Sequence, residues 1–167
     1  MENASRGGPF AALVTASAAE LLATIARAST EVWPDARAVA AQAESLRDRV
    51  TPLAKLSREA YEAALAATVN DFEVGRAYAN AAEPPLRIAE AATDVAELAA
   101  HVAHYAEPTL HADAVAAGLV AAGCAAAAAE LVNVNLTVSA KDDRVRKATL
   151  LAEEAARSAE AARAARE

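Results

Sequence analysis

The sequence predicts an all-α protein, an up-and-down bundle of about five long helices around a central helix rich in alanine and glycine. Hydrophobic residues make up 55% of the 167 residues, but aromatic residues only 4%. Most of the apolar fraction is therefore alanine, the strongest helix former. With only 5 Gly and 6 Pro the chain has few turn signals, which favours long helices over a β-sandwich or barrel. We expect residues 1–8 to form a flexible leader and residues 9–167 a single helical domain.

The predicted central helix runs from Asp113 to Leu136. Between Asp113 and Glu130 the chain has no charged, amide or hydroxyl side chain. A surface helix would carry polar residues on one face, so we expect this helix to lie inside the molecule with neighbours on every side. A membrane span is the alternative, but spanning needs about 20 apolar residues, and this run is shorter and bracketed by acids. We interpret it as the core helix of a soluble bundle.

The first two helices follow from apolar spacing and from proline. Helix 1 begins at Pro9, because proline suits a first helical position, and it ends near Ala28. The second helix opens at residues 33–35 and its pattern continues to residue 69. Pro52 must kink or break it, since proline removes a backbone donor and clashes with the preceding turn.

The second half of the chain begins with a stretch in which the helical periodicity is weak. Residues 70–83 lose the helical periodicity and are predicted to form a long loop or a frayed helix. A third helix starts at Pro84 and closes before Pro108, and the short connection that follows makes it an antiparallel neighbour of the central helix. After a polar turn, the last helix runs over residues 144–166.

Charge and cysteine content exclude several classes of function. The formal charge is −7 and the pI about 5.0, and the sequence shows no basic stripe, which disfavours nucleic-acid binding. The single cysteine excludes an internal disulfide and a multi-cysteine metal site. We see no secretion signal and expect a cytoplasmic protein with no membrane partner.

A few residues carry chemistry of interest. His101 and His104 share a helix face at a spacing that can hold a metal, but no Glu or Cys completes a site, so we predict no metal. Asp113 is either a helix cap or a catalytic carboxylate, and the pattern leaves both open. Cys124 is interpreted as a packing residue. Tyr61 is a candidate hydrogen-bond donor in a pocket.

Four segments of the chain occur in a recognisable order. They are GGPF at residues 7–10, PLRIAE at 85–90, AEPTLHADA at 106–114 and LVNVNL at 131–136. In order and spacing they resemble the motifs of the cyclodeaminase/cyclohydrolase family of folate one-carbon metabolism. The corresponding family patterns are G-G-G-S, P-L-x-I-A-E, G-N-P-N-x-x-S-D-A and N-V-x-I-N-L.

The resemblance implies an all-helical homodimer with folate pockets near the subunit interface, and no metal or redox cofactor. The implied reaction is loss of ammonia from formiminotetrahydrofolate, which closes the methenyl bridge, or addition of water to that bridge. By position, Asp113 is the catalytic carboxylate and His111 its local substitute, while Asn135 is a polar anchor for the folate. The candidate substrate-binding residues are Gly7, Gly8, Tyr61 and Asn135.

Two hypotheses stay open because the chain departs from the family pattern. Ser57 replaces an aspartate of the second long helix, Ala112 replaces the serine before the aspartate, and Leu131 replaces an asparagine. Pro9 and Phe10 replace a glycine and a serine. The first hypothesis is a folate-dependent cyclodeaminase or cyclohydrolase. The second is a catalytically degenerate helical dimer that serves as a binding or scaffold protein. A coiled coil is disfavoured, because it requires leucine or isoleucine at regular heptad positions, whereas the central helix carries small residues on all sides.

Overall fold

The computed structural model describes residues 6–68, 70–137 and 141–165, and within these ranges the chain consists of helices joined by short turns, without a strand. The predicted all-α bundle is confirmed. Its elements are α1 (Gly7–Ala28), α2 (Ala36–Val50), α3 (Leu53–Ala66), α4 (Asp71–Ala81), α5 (Glu83–Tyr105), a 3₁₀ turn (Pro108–Leu110), α6 (His111–Asn135) and α7 (Asp143–Ala164).

Helix α1 ends at Ala28 as predicted, but it begins at Gly7 instead of Pro9. The expected flexible segment therefore does not extend over Gly7 and Gly8, and its residues 1–5 lie outside the described part of the chain. The physical reason is tertiary packing. The first turn of α1 lies against Leu131 and Ser57, and only residues as small as glycine allow this approach.

The second predicted helix is two helices, because Pro52 breaks it as expected between Val50 and Leu53. The segment that was predicted as a loop or a frayed helix forms α4. Its first turn is capped by Asn70, whose side-chain oxygen accepts a hydrogen bond from the backbone N–H of Glu73 at 2.9 Å. The bundle therefore contains a short additional helix between α3 and α5.

Helix α6 packs against α5, α7 and α1 with one side. The buried side consists almost entirely of small residues, which are Ala114, Ala117, Gly118, Ala121, Cys124, Ala125 and Ala128. The opposite side is exposed and includes Leu119, Val120 and Gly123. The prediction that this helix has neighbours on every side is therefore wrong for the single chain. An all-apolar sequence does not distinguish a helix covered by its own chain from one with an apolar face left open.

Two helical segments, Gly7–Ala28 and Pro108–Asn135, are long and apolar enough to cross a membrane by length and composition. In the bundle, 56% and 39% of their most apolar windows are buried. Core helices of water-soluble proteins meet the same criterion, so these segments are weak evidence for a membrane protein.

Arg144, at the start of α7, joins this helix to the rest of the bundle. Its guanidinium donates to both carboxylate oxygens of Asp142, to the carbonyl oxygen of Ala79 at 2.8 Å and to Glu83 at 2.6 Å. Asp142 also caps α7 by accepting a hydrogen bond from the backbone N–H of Arg144. These hydrogen bonds lower the pKa of Asp142 to about 2.

We predict that Asp142→Asn, which keeps a capping oxygen but removes the charge, lowers the free energy of unfolding at pH 7 by about 1 kcal/mol. The pKa of Asp142 is depressed in the folded protein from its ordinary 3.8 to about 2. The stabilisation is therefore present above pH 4 and is lost as the pH falls through 2. Urea unfolding followed by circular dichroism at several pH values between 7 and 2 measures the difference.

The matched control for this experiment is Asp143→Asn. Asp143 is exposed and forms no ion pair with another described residue. A deficit of Asp142→Asn that stays the same from pH 7 to pH 2, or one that Asp143→Asn reproduces, would show that the Asp142–Arg144 pair does not hold α7 in place.

Candidate functional site: a cavity at the C-terminal end of helix α6

A small, partly enclosed cavity of about 80 Å³ lies where the C-terminal end of α6 meets α3 and α5. It is lined by Ser57, Tyr61, Ala81, Pro85, Leu131, Val134 and Asn135. A wider cleft of about 500 Å³ adjoins it and shares Val134 and Asn135 with it. The cleft adds Asp71, Val74, Gly75, Tyr78 and Thr137. An apolar lining with a few convergent polar groups is typical of a site for a small organic ligand.

Asn135 is the polar residue common to both spaces. Its side chain is 7% exposed, and its Nδ2 donates a hydrogen bond to the carbonyl oxygen of Ala81 at 3.1 Å. This bond ties α6 to the end of α4 and fixes the orientation of the amide. Its Oδ1 has no partner among the described residues and is not buried, so it is open to the cavity as an acceptor. A ligand N–H group can take up this free acceptor.

Ser57 and Tyr61 line the cavity from α3. They are four residues apart and therefore share a helix face. The Tyr61 hydroxyl is not bonded to another described residue and is available as a donor to a ligand. Ser57 is buried and lies against Gly8, where an added Cβ would come within 2.0 Å of the Ser57 Oγ. The start of α1 therefore closes over this end of α3.

The structure thus brings four of the sequence-predicted site residues to one end of the bundle, which are Gly7, Gly8, Tyr61 and Asn135. The two candidate catalytic residues, His111 and Asp113, lie in the first turn of α6. Twenty-two residues separate Asp113 from Asn135, and at 1.5 Å per residue this places them about 33 Å apart. A single chain does not assemble the six residues into one site.

His111 and Asp113 differ strongly in environment. The imidazole of His111 is buried, and its Nδ1 is 3.0 Å from the carbonyl oxygen of Ala103, so it joins the adjoining ends of α5 and α6. Asp113 is exposed and forms no hydrogen bond or ion pair within the described ranges. Its carboxylate is the free polar group at this end of the helix.

The remaining candidates have packing roles. Trp33, His101 and Tyr105 form a ring cluster, with centroid distances of 5.3 Å from Trp33 to His101 and 4.8 Å from His101 to Tyr105. Across the residues that the structure describes, no three His, Cys, Asp or Glu side chains converge as metal ligands. Burial raises the pKa of the Cys124 thiol, which agrees with its interpretation as a packing residue.

Asp71 is the site residue that sequence reasoning did not find. It is the carboxylate in the lining of the wider cleft, and it lies in the first turn of α4. Because α4 lacks a clear apolar stripe, its sequence did not show where this carboxylate would lie. A local sequence pattern could have predicted the start of α4, because Asn70 followed three residues later by Glu73 is typical of a helix N-terminus.

The fold defines this chain as a helical-bundle protein with a cavity and an adjoining cleft at one end of its small-residue helix. The family model of formiminotransferase-cyclodeaminase matches residues 2–157, so the chain belongs to that family. This confirms the predicted family and, with it, the prediction of an enzyme-like protein of folate one-carbon metabolism. Among curated proteins there is no match.

One solved structure shares the whole architecture. Formiminotetrahydrofolate cyclodeaminase from Thermotoga maritima superposes with a TM-score of 0.88 at 18% sequence identity. The match covers 99% of this chain and 89% of that protein. At this identity the likeness shows the common fold.

We predict that Gly8→Ala destabilises the fold by about 1–3 kcal/mol, because the added Cβ would lie 2.0 Å from the Oγ and 2.9 Å from the Cβ of Ser57. Relief of this clash must push α1 away from α3. Thermal unfolding of the unliganded protein measures the loss. Adding Ser57→Ala to Gly8→Ala removes the closest atom and should restore part of the stability.

Gly7→Ala is the control for this prediction. Its Cβ would meet Leu131 at 3.4 Å, an ordinary contact, so we expect no loss of stability. Equal effects of the two substitutions, or no rescue by Ser57→Ala, would mean that the α1–α3 contact at Gly8 is not tight.

Proposed function

We propose that this chain acts on a tetrahydrofolate derivative, in the manner of a formiminotetrahydrofolate cyclodeaminase. The proposal is supported by membership of the family and by the cleft of about 500 Å³ that adjoins the small cavity at Asn135. The single observation that carries it is the free Oδ1 of Asn135, a fixed acceptor open to that cavity. We further propose that the reaction needs no metal and no redox cofactor, since it changes no oxidation state.

The cyclodeaminase reaction closes a ring. N10 of the folate attacks the formimino carbon on N5, so that an N10–C bond forms and the C=N double bond becomes single. The N10 proton moves to the former imino nitrogen, one further proton is taken up there, and the C–N bond breaks to release ammonia and leave the methenyl cation. The chemistry asks for a group that moves protons and for groups that hold the folate. We assign Asn135 and Tyr61 to holding the folate and keep Asp113 as the proton-transfer residue.

One observation favours the second candidate, a binding protein that has lost catalysis. The cavity around Asn135 contains Ser57 where the family pattern has an aspartate, and the same chain supplies no carboxylate to its lining. A folate can be held there, and the carboxylate that the described part of the chain brings near it is that of Asp71, in the adjoining cleft. Addition of water to a methenyl bridge, the cyclohydrolase reaction, needs a proton-transfer group in the same way. The cyclodeaminase and the non-catalytic binding protein would therefore bind the same folate ligand, but only the cyclodeaminase would convert it.

We also propose that the protein is a homodimer and that it is cytoplasmic. The exposed apolar side of α6 continues onto α1, where Phe10 and Leu13 are 67% and 52% exposed. Exposed apolar patches of this extent mark interaction surfaces. A dimer would cover both helices that are apolar enough to cross a membrane.

Two measurements on the purified protein separate the candidates. Binding of 5-formyltetrahydrofolate, a stable analogue, is followed by calorimetry, and turnover of 5-formiminotetrahydrofolate by the absorbance of the methenyl product. Binding with turnover supports the cyclodeaminase. Binding without turnover selects the non-catalytic protein, and absence of binding overturns both.

We predict that Asn135→Ala weakens the binding of 5-formyltetrahydrofolate about 5- to 10-fold, because one ligand hydrogen bond is lost. Asn133→Ala is the matched control, since Asn133 is exposed two residues earlier in the same helix and does not line either space. Both variants are first compared by thermal unfolding, because Asn135 also bonds to Ala81. Equal affinities of the two variants would place the ligand elsewhere.

A further inference from the structure

Helix α4 turns one side toward the wider cleft at the C-terminal end of α6. Its lining residues Asp71, Val74, Gly75 and Tyr78 follow one another at intervals of three and four, so they share one helix face. The end of α6 forms the opposite wall. The volume of about 500 Å³ lies within the range of sites for small molecules.

The carboxylate of Asp71 has no role in holding the fold together. Its place in the first turn of α4 would suit a cap, but the cap is Asn70, which accepts the hydrogen bond from the backbone N–H of Glu73. Arg76, the basic residue of this helix, is bonded to Glu73 at 2.6 Å. Asp71 therefore forms no hydrogen bond or ion pair with another described residue, and its oxygens are free for a ligand.

Asn135 supplies a second free acceptor on the opposite wall. Its Nδ2 is committed to the carbonyl oxygen of Ala81, which leaves the Oδ1 open to the cleft. In this arrangement neither Asp71 nor Asn135 offers an N–H group to a ligand. The cleft combines apolar walls with two acceptors, one of them charged. It therefore favours a ligand whose polar atoms are N–H donors or carry positive charge.

We propose that Asp71 binds a protonated amidine in this cleft, and that it thereby selects the formimino group of 5-formiminotetrahydrofolate over the formyl group of 5-formyltetrahydrofolate. A formimino group is an amidine, a strong base that carries positive charge at neutral pH, and its terminal nitrogen donates N–H bonds. A formyl group is of the same size but ends in an oxygen that only accepts. The folate part of the proposal rests on the proposed function, whereas the preference of the cleft for an amidinium does not.

A change of one ligand atom is enough for selection, because a carboxylate cannot pair with a carbonyl oxygen. With the formimino group, Asp71 accepts a charge-assisted hydrogen bond. With the formyl group, two acceptors would meet without a proton between them. A site that pairs with a ligand N–H rejects the analogue that lacks it, most strongly where water is excluded. Since Asp71 is exposed, water weakens the discrimination, and we expect a preference of about 10-fold.

The same contact serves the proposed ring closure. In that reaction the terminal nitrogen of the formimino group leaves as ammonia, after it has received the N10 proton and one further proton. A nitrogen that binds as an amidinium already carries the further proton, and the nearby negative charge of Asp71 stabilises this form. Asp71 thus holds the leaving nitrogen without gaining or losing a proton, and a separate group moves the N10 proton.

Gly75 offers a way to close the cleft without altering either acceptor. An added Cβ at this position would meet nothing within 4 Å, and the residue has ordinary helical backbone angles. Because glycine is a poor helix former, Gly75→Leu should fold at least as well as the wild type while its side chain fills the cleft. The control is Asn80→Leu, at an exposed position of the same helix outside the cleft.

The first test needs no folate. Benzamidine is a planar amidinium, and benzamide is a neutral amide of the same shape. In NMR titrations at millimolar concentration, benzamidine should shift the backbone signals of α4 and of the end of α6, and benzamide should need about 10-fold more for the same shifts. Equal responses of the wild type to the two compounds, or no response to either, would overturn the proposal.

Variants locate the benzamidine contact. Asp71→Asn should make the two compounds equivalent, and Gly75→Leu should abolish both responses. Glu73→Gln removes another acid from the same first turn and should keep the preference, as should Asn80→Leu. Loss of the preference in Glu73→Gln would show a general effect of negative charge and refute a specific contact with Asp71.

The second test measures the choice between the two folates. The wild type should bind 5-formiminotetrahydrofolate about 10-fold more tightly than 5-formyltetrahydrofolate. The two dissociation constants are compared by calorimetry or, where the protein converts the substrate, as its KM against the inhibition constant of the formyl compound. Asp71→Asn should bring this ratio close to one. Asn135→Ala should weaken both ligands and keep their ratio, because its acceptor serves the part that they share.

The outcomes separate this inference from the proposed function. A wild type that binds neither folate overturns the proposed function, and the benzamidine titration then still decides whether the cleft is an amidinium site. A wild type that binds both folates equally, or whose preference survives in Asp71→Asn, overturns the role of Asp71 and leaves the folate site in place.

Discussion

The close packing of α6 against its neighbours through residues with almost no side chain is the constraint on which this bundle depends. At Gly118 an added Cβ would already lie 3.1 Å from the Cβ of Ala99 and 3.8 Å from that of Ala162. Each alanine buries little apolar area, so the stabilisation comes from many short contacts between backbones held near van der Waals distance. Such an interface tolerates little change in size. It holds α6 in place with one buried, hydrogen-bonded polar residue at each end, His111 and Asn135.

The same composition explains why part of α6 is left uncovered. The inner side of α6 is buried against α5, α7 and α1. The outer side consists of the same small apolar residues but is not covered by the described chain. A helix that packs through alanine on one side can do so on the other without any change of sequence pattern. The bundle is therefore suited to pairing with another helical surface at a short interaxial distance, and Gly123 marks where that distance can be smallest.

Much of the fold could be predicted because it depends on local signals. The end of α1, the break at Pro52 and the start of α5 at its two prolines all follow from backbone chemistry. Helix α4 could not be predicted as firmly, since its stability comes from a cap at Asn70 and from packing instead of an apolar stripe. The open side of α6 could not be predicted either, because covered and uncovered apolar faces have the same sequence.

The candidate site residues stay a prediction, and the structure shows where each of them lies. Sequence motifs identified residues that the fold brings to one end of the bundle, such as Gly8 and Asn135, because each has a local reason to be small or polar. The same motifs placed Asp113 in that site, although the length of one uninterrupted helix already separates it from Asn135 by about 33 Å. Helix rise alone therefore shows that these two positions meet only if they belong to different copies of the chain.

The contact between Gly8 and Ser57 bears on why position 57 has no room for a carboxylate. Ser57 fills the space in front of Gly8 so closely that not even a methyl group fits between them. An aspartate at position 57 with the same side-chain direction would drive its carboxylate into the first turn of α1. The close packing of the first turn of α1 against α3 therefore requires a small side chain at position 57 and leaves no room for an acid there. The carboxylate that lines the adjoining cleft is that of Asp71, and the two spaces meet at Val134, which is 65% exposed.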